Sequence, residues 1–231
     1  SMKSGKCSLF ILSVLLLMIN EASAIDILKL GTTYDITFNS FDGSFSNLPA
    51  GVSVSQDGVN IMGEGHEDFR GTHTGGTIAG GCYAWLISDT DRTLGYQPTS
   101  EEFTPGFFIL ALTNSTGMAA GVMSLSYDIL CLNDAGRSSK LELEISSDGK
   151  SFARINELVF ASPEAAEAPA SWKRHSRSAE ITLIRRLPPG GNLWIRWKGE
   201  DAGGSGARDE YGIDNVAVTL HKPRGTVIAF R

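Results

Sequence analysis

Residues Asn192 to Leu220 read NLWIRWKGEDAGGSGARDEYGIDNVAVTL, two strongly patterned runs joined by a glycine- and aspartate-rich loop. In the first run Leu193, Ile195 and Trp197 fall on one side of an extended chain, and Trp194, Arg196 and Lys198 on the other. This period of two marks a half-buried strand. In the second run, counting back from Leu220 puts Val218, Val216 and then Asp214 on the inward side. An inward carboxylate needs hydrogen-bond partners or a cation, so Asp214 is the first candidate site residue.

Working outward, short alternating runs broken by Gly, Asn, Asp and Pro recur along the chain, while the three-to-four spacing of an amphipathic helix is almost absent. The fold class is all-β, a two-sheet antiparallel sandwich with long loops. Expected strands are Ile36–Phe41, Val52–Ile61, Cys82–Ser88, Arg92–Tyr96, Phe107–Thr113, Val122–Leu132, Lys140–Ser146, Ala153–Phe160, Ala179–Leu187, Asn192–Lys198, Gly212–Leu220 and Thr226–Phe230. Met62–Gly81 reads as a long glycine-rich surface loop, and Asp148-Gly149 as the tight turn of a hairpin over Lys140–Phe160. Ala161–Ser178 also reads as a loop, carrying the basic cluster Lys173, Arg174, His175 and Arg177. That cluster either binds an anion or acidic sugar, or is simply solvated.

Ser1 ahead of Met2 reads as an expression scar. Lys3 and Lys6 then precede the apolar run Leu9–Ile19, which ends in Glu21-Ala22-Ser23-Ala24, the pattern of a secretory signal peptide cleaved before Ile25. An uncleaved anchor is the alternative. Residues 25–231 suit one domain with no membrane span after cleavage, secreted, periplasmic or at the cell surface. The formal net charge of −6 argues against nucleic acid and anionic membranes as partners.

Cys82 shares a face with Ala84 and Leu86, and Cys131 with Leu125, Tyr127 and Ile129, so both thiols are expected in the core. They form either a disulfide, stabilising by roughly 4 kcal/mol, or two buried free thiols.

Catalytic signals are weak. No Gly-x-Ser-x-Gly elbow occurs. Glu142 and Glu144 share a strand face, yet no third acid joins them, and Glu/Leu alternation is what a solvent-facing strand shows. His66, Glu67, Asp68 and His73 contain metal-ligating types without the spacing of a zinc site. Calcium takes hard oxygen ligands, and Asp42 could meet Asp214 if the first and last strands are neighbours; otherwise Asp214 accepts backbone N–H groups and fixes a turn. For ligand binding, flat rings matter most. Trp194, beside Arg196, leads; Tyr83 and Trp85 share one face, and Trp172 stands in the second loop. Packing of these rings under loops is the alternative.

Asn114-Ser115-Thr116-Gly117 with Val122–Tyr127, Ile145–Phe152, and Leu193–Trp197 through Gly212-Ile213-Asp214-Asn215-Val216 resemble a β-sandwich module of secreted environmental bacteria. Phe41–Val54, Gly80–Leu94 and the closing Gly-Ile-Asp-Asn-Val are similar to jelly-roll carbohydrate-binding modules and the adhesive MAM domain. The resemblance implies a jelly roll, and it implies that Asp214 helps hold a structural calcium. The expected function is a secreted, non-catalytic module binding carbohydrate or another extracellular ligand. A structural or adhesive cell-surface protein working through protein contacts is the alternative, and a glycan-active hydrolase a more distant one.

Overall fold

The computed structural model describes residues 23–224. The expected signal peptide, up to Ala22, and the strand expected at Thr226–Phe230 fall outside the described residues. Two sheets face each other. The first holds β1 (Ile25–Ile27), β3 (Val52–Ser55), β7 (Gly106–Asn114), β9 (Arg137–Ser146), β10 (Ala153–Arg154), β11 (Phe160–Ala161) and β13 (Asn192–Gly204), in the order β1-β7-β13-β9-β10, with β3 also on β7 and β11 on β9. The second holds β2 (Thr33–Ile36), β4 (Phe69–His73), β5 (Gly81–Leu86), β6 (Arg92–Gln97), β8 (Ala120–Leu132), β12 (Trp172–Leu187) and β14 (Glu210–His221), in the order β12-β8-β14-β6-β5-β4, with β2 on β14. All pairings are antiparallel except β1 on β7 and β4 on β5. The all-β sandwich is as the alternation requires.

The two inner faces supply the core. Leu193, Ile195 and Trp197 of β13 point inward and are buried, and the Trp197 indole meets Tyr127 of β8 edge-on at 5.4 Å. Tyr96, Phe103, Phe108 and Tyr211 form a second aromatic knot between the sheets. Each such ring contributes about 1.5–3 kcal/mol by leaving water.

β14 departs from the simple count. Asn215 takes a left-handed φ of 51°, and the pairing with β8 slips between Asp214↔Asp128 and Ala217↔Ser126. This β-bulge reverses the phase. Tyr211 and Ile213 are inward before it, Val216, Val218 and Leu220 after it. Asp214 therefore lies on the outer face beside Asp128, and the inward position assigned to it is corrected.

Two expected loops contain strands. β4 lies inside Met62–Gly81, and β12 begins at Trp172, so the basic cluster is on a strand. β12 ends its sheet, and its inner side is only partly covered there, with His175 and Arg177 packed on Phe160 of the first sheet. Lys173, His175 and Arg177 thus take inward positions opposite Cys131, Ile129 and Tyr127, yet Lys173 is exposed and the other two are only half-buried. The apolar period is missing there because the burial is.

Cys82 and Cys131 are both buried in the core, but free. The register runs Cys131↔Tyr211, Tyr211↔Tyr96, Tyr96↔Cys82 across β8, β14, β6 and β5. Three strand spacings, about 14 Å, exceed the roughly 7 Å that a disulfide spans between Cα atoms. The disulfide is excluded by the register.

Candidate functional site

The outer face of the first sheet carries a groove of about 160 Å³. Its floor is Ser53 of β3, Ile109 and Ala111 of β7, and Trp194 and Arg196 of β13; the loop after β3 (Gly58, Val59, Ile61) and the loop after β9 (Gly149, Phe152) form its walls. The alternation that buries Leu193 and Ile195 is what turns Trp194 and Arg196 outward.

The hairpin wall is built by its own polar groups. Asp148 accepts the N–H groups of Lys150 at 2.8 Å and Ser151 at 2.7 Å, and Ser146 Oγ donates to it at 2.8 Å. These hydrogen bonds to the ionised form hold the Asp148 carboxyl well below the usual range. The loop joining β9 to β10 is longer than a two-residue turn. Gly149 adopts φ of 69°, and its Cα lies against the Trp194 indole, where an added Cβ would sit 3.4 Å from the ring.

Arg196 is clamped. Its Nε donates to Glu144 Oε2 at 2.7 Å and its Nη2 lies 2.5 Å from the same oxygen. Its guanidinium stacks on Phe152, 3.6 Å from the centroid, and also faces Phe107 at 4.8 Å. The result is a rigid, charge-neutral platform beside the Trp194 ring. Phe152 and Phe107 were not singled out from the sequence; Phe107 betrays itself only through strand alternation with Phe108, and Phe152 only by following the Asp148 turn.

The other predicted rings do not join this groove. Tyr83 and Trp85 lie on the outer face of the second sheet and are 4% and 0% exposed. They stack at 4.4 Å, with His73 and half-buried Trp172 packed on Trp85. Trp85 Nε1 donates to the Tyr211 carbonyl at 2.7 Å, and Trp172 Nε1 to that of Thr74 at 2.8 Å. The ring of Trp85 rests on Gly95 and Gly212, which leave room for it. A ligand surface at Tyr83 and Trp85 is therefore corrected to a structural aromatic layer, while half-buried Trp172 lines a separate open hollow of about 560 Å³ with Gly75, Gly76 and Asp134.

Glu142 and Glu144 are committed to ion pairs. Burial alone would raise the Glu142 carboxyl, but Lys140 at 3.0 Å and Arg154 at 2.8 Å hold it below the usual range. A general acid needs the opposite shift. Asp68 binds Arg70 at 3.0 Å and Gln56, and His73 is packed against Tyr83 and Trp85. Among the described residues no group of three or more His, Cys, Asp or Glu could hold a metal ion.

The pairing of Asp42 with Asp214 does not form, although β2 does neighbour β14. Asp42 accepts from Ser44 N–H, Ser44 Oγ and Asn47 Nδ2 within its own turn, which leans on Thr72 of β4. That places it at the β4 edge of the sheet, three strands away from β14, which carries Asp214. Asp214 is 1% exposed and faces Arg174, which also binds Asp91 and Asp128. A guanidinium already stands among these carboxylates, so the oxygen set does not fit a calcium ion. Anion binding by the basic cluster is corrected on the same ground, since Arg174 is held by aspartates, Lys173 by Glu167, and Arg177 lies over Phe160.

No protein-family model and no curated protein matches the chain. Solved structures do match in fold. TmCBM61, solved with beta-1,4-galactotriose, is 15% identical with a TM-score of 0.39, over 80% of this chain and 94% of that one. The K3 cleaved adhesin domain of Lys-gingipain from Porphyromonas gingivalis w83 is 13% identical with a TM-score of 0.45, over 80% and 97%. The CBM22-1 xylan-binding domain from Paenibacillus barcinonensis Xyn10C is 10% identical with a TM-score of 0.42, over 86% and 99%. Two of these structures are carbohydrate-binding modules and one is an adhesin domain.

Proposed function

We propose that this protein is a binding module that holds a neutral saccharide chain in the Trp194 groove without acting on it chemically. The observation that carries the reading is the half-buried Trp194 ring beside the Phe152–Arg196–Phe107 stack, on the floor and wall of an open groove. An indole offers a flat apolar surface to the C–H face of a pyranose, while Ser53 and the edge of the guanidinium supply hydrogen bonds. Neutrality of the ligand follows from Glu144, which already cancels the charge of Arg196. The leader pattern supports export to the exterior, the periplasm or the cell surface. Among the described residues no helix is long and apolar enough to cross a membrane.

Affinity electrophoresis against a panel of neutral and acidic polysaccharides tests this. Trp194→Ala should weaken binding by roughly thirty-fold, the ~2 kcal/mol of a central aromatic contact, and keep the wild-type melting temperature. Unchanged retention of Trp194→Ala, or binding of acidic polymers alone, defeats the reading. A second reading, contact with a protein, draws on Val59, 81% exposed on the groove wall; Val59→Asp would then abolish binding to a protein partner.

A further inference from the structure

Three aspartates from three separate elements converge on one arginine. Asp91 precedes β6, Asp128 is on β8 and Asp214 on β14; Arg174 reaches them from β12. Arg174 Nη2 lies 2.8 Å from Asp91 Oδ2, and Nη1 lies 2.5 Å from Asp128 Oδ2 and 3.9 Å from Asp214 Oδ2. Asp128 is further held by Ser176 Oγ at 2.6 Å and Asn215 Nδ2 at 2.9 Å. Asp214 Oδ1 receives the long N–H bond of Phe38, at 3.4 Å, and Oδ2 is buried without a hydrogen bond.

Calcium needs six to eight oxygens at about 2.3–2.6 Å. An ion bridging the Oδ2 atoms of Asp128 and Asp214 at those distances would crowd Nη1, which lies against the first of them, 3.9 Å from the second, and carries charge of the same sign. Two cations cannot share that position. We infer that Arg174 is the resident cation of this cluster: its guanidinium fills the place that the resemblance assigns to a structural calcium, and the fold stands without divalent metal. The planar fork suits the task, because separate N–H groups address separate carboxylates while its one charge offsets part of theirs.

Arg174→Met keeps most of the aliphatic stem and removes the charge, leaving the three carboxylates without their cation. That protein should melt below wild type in chelator and in calcium chloride alike, and Arg174→Lys, which returns one charge, should recover part of the loss. Arg174→Met with Asp214→Asn should melt above Arg174→Met, because one of the stranded carboxylates is gone. Wild type should melt at one temperature in chelator and in calcium and give no heat in a calorimetric calcium titration. Calcium binding or chelator sensitivity of the wild type overturns the inference, and so does an Arg174→Met protein that melts with wild type. If Arg174→Met does not fold, the wild-type titration and Arg174→Lys decide: no heat together with a folded Arg174→Lys supports the inference, and heat on adding calcium overturns it.

Discussion

Gly95→Ala should be among the most damaging single-methyl additions in this protein, although glycine in mid-strand is ordinarily the weaker choice. A Cβ at residue 95 would lie 2.0 Å from Trp85 Cδ1 and Nε1 and 2.4 Å from the Tyr211 carbonyl oxygen. The indole is fully buried, stacked on Tyr83 and bonded to that same carbonyl at 2.7 Å, so it must shift by more than an ångström. Overpacking of this kind costs about 1–3 kcal/mol, and leaving the buried Tyr211 carbonyl unbonded adds about 1–3 kcal/mol. A total near 4 kcal/mol would lower the melting temperature by about 8–16 °C in a domain of this size. Urea denaturation followed by circular dichroism measures it, with Trp85→Leu and the double variant closing a cycle. Trp85→Leu alone should cost about 3–5 kcal/mol through its cavity, but less in the Gly95→Ala background, a coupling of about 1–3 kcal/mol. Rescue stays incomplete because the Tyr211 backbone cannot withdraw. A cost for Gly95→Ala below about 1 kcal/mol, or an additive cycle, would refute the account of Trp85 as a ring seated on glycine.

Stability should also depend on pH in a defined direction. Burial pushes Glu210 up to about 7 and both Asp209 and Asp214 up to about 6. A carboxyl raised in the folded state binds extra protons there, so stability grows as pH falls through these values and is lost as pH rises through them. Glu210 alone sets an upper limit near 3 kcal/mol, and Glu210→Gln should flatten the slope between about pH 5 and pH 8; an unaltered slope would contradict the assignment. Below about pH 4 the trend reverses, since Asp57, held near 2 by the N–H groups of Asn60 and Val59, then protonates. Burial also pushes both core thiols far above the ordinary range, so a thiol reagent should label neither in the native protein. Both should react in denaturant without reductant, and failure of Cys82 and Cys131 to react there would restore the disulfide.

The strand pattern was legible wherever one face is buried and the other wet. Leu193–Trp197 is the clearest case, and Trp194 with Arg196 stands where the alternation put it. Two features hid the remainder. A single left-handed residue, Asn215, inverted the phase of β14 and moved Asp214 to the other face; no periodicity computed through it could show this. β12 hid because its inward positions at Lys173, His175 and Arg177 are only partly covered at the end of the sheet, which removes the apolar signal. Tyr83 and Trp85 looked like ligand rings because they oppose Cys82 and Ala84, and only the loop laid over that face shows them covered. Phe107, Phe152 and Glu144 complete the groove from three different segments, a convergence that pairwise register creates and local sequence does not.

β12 is the terminal strand of its sheet, and one side of its backbone over Trp172–Leu187 therefore faces outward. Such an edge is a template on which another molecule could zip itself into a fibre. Lys173 is paired with Glu167 and Arg174 with Asp91 and Asp128, while Arg177, Arg185 and Arg186 on the same strand bring like charges together when two copies meet edge to edge. This repulsion should oppose edge-to-edge pairing in dilute buffer and weaken as salt shortens the screening length to about 3 Å at 1 M. The same basic strand that conceals its regularity from the eye is thus a guard on colloidal behaviour, and high salt is the condition under which that guard fails.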